Sequence, residues 1–474
     1  MAIKKISNDK YGVVEYIMTL ESDLDKIPTE GIEINSKAIL VHPNIGVKKY
    51  VLGSDGKWGD FIEASNGGGG GGNDIYGYLE ESAEDLARFY TISYYDTLEQ
   101  AFDDINNGVV GDHASSDQGN AKAYVHSNIY THYVTLLSDC VLSKKIEVSK
   151  NVIIAFDGHK VEISTDDATK NATAFHILNG ECTMENGKLT TTSHGIGVKG
   201  SPNPSIILEG GTKLNLHGMD MLSIDEHKGA TSCIYMNEAS ELEGSCNIIT
   251  AESKGGESND GIYGYGSVYM YDSVIRGISD HLANAAGNDY GVTSRGLNML
   301  SNNASIRLER CRISGTHSGM VVKGNLTIIE SICESYSHGG IYISAPNKNV
   351  FLIDSTFRQC DMPKGYVADN IAGTNNAGIY IGGASNVTFY VDNCNFYGKQ
   401  QPIVLRGSSG ESNNMMYISN SRLNLDYQSY GVRNDGSNQI TFGVGNNFNE
   451  KNIRYNRNYT ITEDNYRDVI NSSI

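Results

Sequence analysis

The segment Gly378 to Gly398, GIYIGGASNVTFYVDNCNFYG, repeats the pattern of Gly340 to Gln359, GIYISAPNKNVFLIDSTFRQ, with no helix-like stretch between the two. A recurrence of this length constrains the fold more than any bulk property, because one copy is too short to bury an apolar face by itself. Aligning on the apolar residue that usually follows a Gly gives Phe175, Ile196, Ile234, Ile262, Val292, Met320, Ile341, Ile379, Ile403 and Val432, spaced by 21 to 38 residues. Most units then carry a second strand-like piece: SVYMYDSVI, SIRLERCRI, LTIIESICE, VFLIDSTF, VTFYVDNCNF and MMYISNSRL. Apolar and polar residues alternate in these pieces, β-branched and aromatic residues abound, and no 3.6-residue period is present.

Few architectures accept such a unit. A propeller blade needs roughly 40 residues or more, and a leucine-rich repeat would show its Leu and Asn positions. The pattern predicts an all-β chain, a right-handed single-stranded parallel β-helix in which each repeat is one coil and loops of variable length bulge out between stacked strands. Ten to twelve coils at about 4.8 Å each make a rod roughly 50 to 60 Å long.

One column imitates an active site. Asp272, Glu309, Glu330, Asp354, Asp392 and Asn420 stand at the same place in successive units. Side chains of this kind hydrogen-bond turn amides, and a catalytic group should break a repeat rather than follow it, so the column is read as a structural corner. Ser273, Ser331, Ser355, Ser421, Cys311 and Cys394 just after it suit tight inward turns.

Ahead of the coils, SYYDTLEQAFDDINNG (93–108) reads as a helix, with Asp96 as its cap, Glu99 three residues on, and Leu98, Ala101, Phe102 and Ile105 on one face. Such a helix covers the open end of the solenoid core, which would otherwise expose sheet edges. The helix, the strand-rich run after it and above all NVIIAFDGHKVEI (151–163) resemble the pectate-lyase-like β-helix superfamily, over about three quarters of the chain. The resemblance speaks to fold. Lyases, glycosidases, adhesins and phage spikes share it.

Residues 1–64 differ in character: three strand-like runs, an acidic helix candidate at 22–26, and a hairpin in which KYVL and KWGDF flank GSDG. Ile27, Pro28, Gly31, Ala38, Tyr50, Leu52, Gly56 and Trp58 follow a pattern that resembles the small N-terminal modules of tailed-phage decoration, head-fibre and tail-fibre proteins. A generic β-rich module is the alternative. Six consecutive glycines follow, without a GK[ST] or a strand-to-helix setting, and read as a flexible linker rather than a phosphate loop. The expected organisation is an anchoring module (1–64), a linker (65–73), an entry and cap (74–135), the β-helix (136–450) and a tail (451–474).

Net charge is −19, which disfavours nucleic acid as a partner. No apolar run approaches the roughly 18 residues of a membrane span, and MAIKKISNDKYG lacks the apolar run of a secretory signal. The chain is therefore expected to be made in a bacterial host cytoplasm. Eight cysteines, without CxxC or zinc-like spacing, read as reduced thiols; no metal and no cofactor are expected.

For chemistry, the candidates outside the repeated column are Asp260 (SNDGI) and Asp289 (GNDYGV), which precede Ile262 and Val292 on neighbouring coils and could form a carboxylate pair. The preferred reading of each is a loop-turn Asp after Asn. No clustered aspartates with an Arg, as the resemblance to pectate lyases would require, stand out. For binding, alternation places Tyr235 and Tyr263, then Tyr342 and Tyr380, on the outer face, with Tyr265, Tyr269 and Tyr271 nearby. Exposed stacked tyrosines hold sugar rings or form a subunit contact; β-propensity alone also explains them. The resemblances imply a virion-surface protein of a tailed phage: a head fibre docked on a capsid or other virion protein through residues 1–64, homotrimeric, contacting host-surface or environmental glycans. A tailspike depolymerase and a secreted bacterial adhesin are the alternatives.

Overall fold

The computed structural model describes most of residues 92–447, the strand Ile453–Tyr455, Ile27 and five strands within the first 60 residues; segments such as 61–91, 195–201, 254–258, 280–293, 360–376, 407–412 and 426–431 lie outside that set. The chain divides into two compact units, Met1–Ser93 with Val125–Tyr133, and Tyr94–Tyr124 with Val134–Ile474.

In the smaller unit, Ile3–Asn8, Val14–Met18, Lys37–His42, Gly46–Leu52 and Trp58–Asp60 form one sheet in chain order. The second and third strands run parallel and the other neighbours antiparallel. Five strands replace the three expected runs, and the hairpin is present, with Leu52 opposite Trp58. The helix candidate at 22–26, the glycine linker and the Trp58 side chain lie outside the described residues.

The larger unit is a parallel β-helix. Twelve strands, from Ile146–Val148 to Ile453–Tyr455, stack in parallel into one sheet. One column in register is Ile146, Phe175, Ile206, Ile234, Ile262, Leu297, Met320, Ile341, Ile379, Ile403, Val432 and Ile453, buried from Ile146 to Ile403. Eight of the ten residues aligned from sequence stand in it. Ile196 and Val292 lie outside the described residues, and Ile206 and Leu297 hold the places in the column that the alignment gave them, because backbone pairing and not a Gly-apolar dipeptide sets register.

Each coil continues from this first sheet into a second and a third stack, which are joined where Glu181–Ser193 and Lys213–Asp225 run unbroken round the corner. Further along, that corner is one residue in the left-handed region. Asp157, Asn186, Cys246, Asp272, Arg310, Glu330, Asp354, Asn393 and Asn420 all have φ between 48° and 58° there. The expected acidic column is thus a corner, with two corrections. Glu309 and Asp392 are the last residues of their strands, and Arg310 and Asn393 take the strained position. The next residue turns inward and passes a hydrogen bond up the stack: Cys311 N–H to Ser331 Oγ (2.9 Å), Ser331 N–H to Ser355 Oγ (3.0 Å), Cys394 N–H to Ser421 Oγ (3.1 Å). These serines are buried, as expected of inward turns.

The entry helix spans Leu98–Asn107 and buries Leu98, Ala101, Phe102 and Ile105. Its cap is Thr97, not Asp96. The Thr97 hydroxyl accepts from Gln100 N–H (3.2 Å) and donates to Gln100 Oε1 (3.2 Å), so the helix is capped one residue later than the sequence suggested. Glu99 instead faces the first coils and accepts from Ser143 N–H (2.7 Å) and Oγ (3.0 Å). Phe102 meets Phe175 edge-on, at 6.3 Å between centroids, at the base of the core. All seven described cysteines are free.

Candidate functional site

The outer face of the first sheet carries the densest chemistry. In the strand Asn259–Gly264 the inward residues are Gly261 and Ile262, since a β-carbon on Gly261 would lie 2.8 Å from Ile275 Cγ2. The coil is drawn tight behind this strand. A β-carbon on Gly277 would collide with the backbone carbonyls of Asn259 and Arg295, so only glycine lets the third stack approach the first here.

Asp260 stands in the strand rather than in a turn, and is 3% exposed. Ser232 precedes it and Arg295 follows it in the stack. Asn298 Nδ2 donates to Asp260 Oδ2 (2.9 Å), and Arg295 Nη1 lies 3.7 Å from Oδ1. Asp289 lies outside the described residues. Around the carboxylate, Ser232 Oγ, Arg295 Nε and Asn298 Oδ1 are buried without a hydrogen-bond partner. Three such atoms on one face are unusual in a folded chain.

Tyr235 and Tyr263 adjoin this inlay in register, with centroids 5.6 Å apart and ring planes inclined by 32°. They are not the exposed pair expected. Tyr263 is 4% exposed, and burial, followed by the neighbouring Tyr265 and Asp260, pushes its phenol up to about 12. Tyr235 is half-buried, and burial raises its phenol as well, with Tyr265 and Glu209 adding to the effect. Tyr342 and Tyr380 are in register on their own coils. Tyr342 is half-buried against Val404, and the Tyr380 side chain is outside the described set. Asn298 and Val321 stand between the two tyrosine pairs, so no continuous stripe forms.

Below Tyr235 the same column holds His176. Lys145 Nζ donates to His176 Nδ1 (3.1 Å), which fixes the tautomer with the proton on Nε2, and Nε2 lies 2.6 Å from Glu209 Oε1. Asn237 Nδ2 donates to Glu209 Oε2 (2.8 Å). Glu209 and Asp260 nevertheless do not make a glycosidase pair. Glu209 follows Leu208, which registers with Met236 and Gly264, so Asp260 lies five residues along the strand and two coils up, roughly 19 Å away, against about 5 to 9.5 Å for paired catalytic carboxylates. Among the described residues no group of three or more His, Cys, Asp or Glu side chains could hold a metal ion, and no helix is long and apolar enough to cross a membrane.

Two features escaped the sequence reading. Phe351, Tyr390 and Tyr417 stack on the outer face of the second stack, at 4.9 and 5.6 Å and within 13° of parallel, each about 40% exposed. The signal was present, since Phe351 is the second residue of VFLIDSTF, and Tyr390 and Tyr417 are the third residues of TFYVDNCNF and MMYISNSRL. On the third stack, Glu334 is buried between Arg312 and Arg358. Those residues are 22 and 24 positions from it, and only the register brings them together.

The chain is a parallel β-helix protein with a polar and aromatic face on its first sheet. No family model matches it, and no curated protein matches it. Among solved structures, it is similar to a single-site variant of the periplasmic alginate epimerase AlgG, at 9% identity and TM-score 0.40 over 67% of this chain and 85% of that one. It is also similar to tailspike protein 3 of bacteriophage CBA120, at 10% identity and TM-score 0.28 over 97% of this chain and 84% of that one. Neither likeness assigns an activity to this chain.

Proposed function

We propose that the protein is a tailed-phage virion structural protein, a head fibre whose residues 1–64 dock on a capsid or other virion protein while the β-helix projects and contacts host-surface or environmental glycans. The observation that carries this reading is the division into a small five-stranded unit and a separate solenoid, with a glycine-rich segment at 65–73 able to act as a tether. Glycan contact is assigned to Tyr235 and its polar surroundings on the first sheet, and the homotrimer remains part of the proposal. Trp58 is assigned to the centre of the docking module's core. Gold-labelled antibody against the rod should mark phage heads in electron micrographs, and particles carrying Trp58→Ala should lose that label. Label at the tail tip would replace the head fibre by a tailspike. Label on the bacterial envelope without particles would replace both by an adhesin.

A depolymerase is the second reading, and Asp260 is the observation that favours it: a buried carboxylate in a strand, beside an Arg, among unsatisfied polar atoms. Capsular polysaccharide incubated with the purified protein should keep its length. Cleavage abolished by Asp260→Asn or Asp289→Asn would establish the enzyme.

A further inference from the structure

The loop that follows the entry helix has no buried side chain to hold it. From Asn107 to Asn120 every residue is exposed or half-buried, so its position rests on polar bonds, and most of those tying it to the rest of the chain converge on one carboxylate. Asp104, in the last turn of the helix, is fully buried, as is Tyr95 in the first strand of the larger unit. Asp104 Oδ2 accepts from the Tyr95 hydroxyl (3.0 Å), Gly111 N–H (3.2 Å) and His113 N–H (3.0 Å). Asp104 Oδ1 meets His113 Nδ1 at 2.5 Å. The Tyr95 hydroxyl also accepts from Gly111 N–H (2.8 Å), and Ser115 N–H donates to the Tyr94 carbonyl (2.6 Å). Helix, first strand and loop are thus joined through one acidic side chain, and the imidazole bonded to it is 62% exposed.

The charged and titratable groups at this junction are few. Asp104 faces His113 and Tyr95; His113 faces Asp104, with Asp112 beside it in the loop and Asp103 on the helix, the latter paired with Lys144 at 3.0 Å. Burial would raise the Asp104 carboxyl, but the bonds from His113 and Tyr95 hold it below its ordinary value. The bond and charge of Asp104 raise the His113 imidazole above its ordinary value, and Asp112 and Asp103 add to this. A raised imidazole contributes fully below about pH 6.5, and its contribution is lost as pH rises through the raised value. A lowered carboxyl contributes above about pH 4, and its contribution is lost as pH falls. On the alkaline side the neutral imidazole still donates from Nδ1, so a charge-assisted bond becomes an ordinary one and the loop is loosened. On the acid side Asp104 loses the charge that several donors share.

We infer that Asp104, Tyr95 and His113 form a pH-sensitive latch, which holds the loop 108–115 on the entry helix and first strand in mildly acidic solution and loosens it in alkali and in strong acid. The opening is local, because no buried apolar side chain moves with the loop. What it uncovers is the Tyr94 carbonyl and the edge of the first strand, at the start of the solenoid. The inference stands apart from any ligand of the rod and from the mode of attachment.

The test is hydrogen exchange of the full-length protein from pH 3 to pH 9, with labelling times scaled to the intrinsic exchange rate, read on the peptide covering Val109 to Ser115. Protection should be highest in mildly acidic solution and fall roughly three- to tenfold as His113 loses its proton, the difference between a charge-assisted and a neutral hydrogen bond. It should fall again below about pH 4. The strand Glu181–Ser193 should stay protected throughout. In His113→Gln, where an exposed side chain is replaced by a neutral donor, the alkaline fall should vanish and the acid fall remain. The imidazole signal missing from that variant's proton spectrum should titrate in the parent above an ordinary histidine. Protection of the loop that does not change with pH overturns the inference, as does the same alkaline fall in His113→Gln. A loss of protection at Glu181–Ser193 in step with the loop would also overturn it, since the chain would then be unfolding as a whole.

Discussion

Two groups of aromatic rings lie on the outside of one solenoid and are built differently. Phe351, Tyr390 and Tyr417 are near-parallel, about 40% exposed, and cover one another's faces. Tyr235 and Tyr263 are inclined at 32°, partly or wholly covered, and lie among Asp260, Asn298 and Glu209. A ring whose two faces are used by its neighbours leaves only an edge to solvent, whereas an inclined ring is covered on part of one face and keeps polar groups at its side. The ladder is the more visible of the two, and the covered pair adjoins the polar inlay around Asp260.

The largest expected contrast sets the wall's inside against its outside. Phe357 and Phe396 stack within the core at 5.4 Å, both fully buried. Phe396→Ala should cost about 3 to 5 kcal/mol of unfolding free energy, by lost burial and an unfilled cavity. Tyr390→Ala, on the outer ladder, should cost no more than about 1.5 kcal/mol. Denaturant titrations of the two variants check this, and equal losses would mean that the outer ladder is itself core, covered by something absent from a single chain.

The same contrast explains what could be read from the sequence. The inward columns were legible because period-2 alternation is a direct print of burial: Ile234, Ile262, Ile341 and Ile379 stand where the repeat placed them. The corner was legible as a corner, but not to the residue. Either Glu309 or Arg310 can end a strand, and only backbone geometry shows which one adopts positive φ. The polar face was half legible. Alternation put Tyr235 and Tyr263 in one outer column, but the depth at which Tyr263 is buried depends on what packs over it, which alternation cannot report. The partners of Asp260 and Glu334 come from coils 20 to 40 residues away, with spacings set by loops of irregular length.

A second break falls on the Asp260 face alone. Asp260→Asn keeps the shape, removes the charge opposite Arg295, and leaves a buried guanidinium without its counter-ion. The expected cost is about 2 to 3 kcal/mol, within the range for losing one member of a buried pair. A variant as stable as the parent would show that water reaches the site and that the inlay is open.

Alkali should separate the two aromatic groups by a somewhat smaller amount. The Tyr263 phenol titrates at about 12 in the fold, against about 10 in an unfolded chain. A raised value means that stability is fully present below pH 10 and is lost as pH rises from 10 towards 12, because the unfolded chain releases its proton first. The loss approaches about 2 kcal/mol. In Tyr263→Phe the fall in melting temperature over that interval should be shallower than in the parent. An identical alkaline slope would place the phenol in solvent.

The smallest effect tests the ladder's own logic. Tyr390 lies between Phe351 and Tyr417, in register with both, while Phe351 and Tyr417 are separated by its thickness. If stacking holds the ladder, a double-mutant cycle between Phe351 and Tyr390 should give a coupling of about 0.5 to 1.5 kcal/mol, and so should the cycle between Tyr390 and Tyr417. The cycle between Phe351 and Tyr417 should give a coupling near zero, although those two rings are as exposed as the one between them. Exposure would rank all three pairs alike, and contact ranks two above the third. A sizeable coupling between the outer rings would mean that they share a third partner across their exposed edges, and the ladder would then have to be counted, with the Tyr235 face, among the candidate binding surfaces.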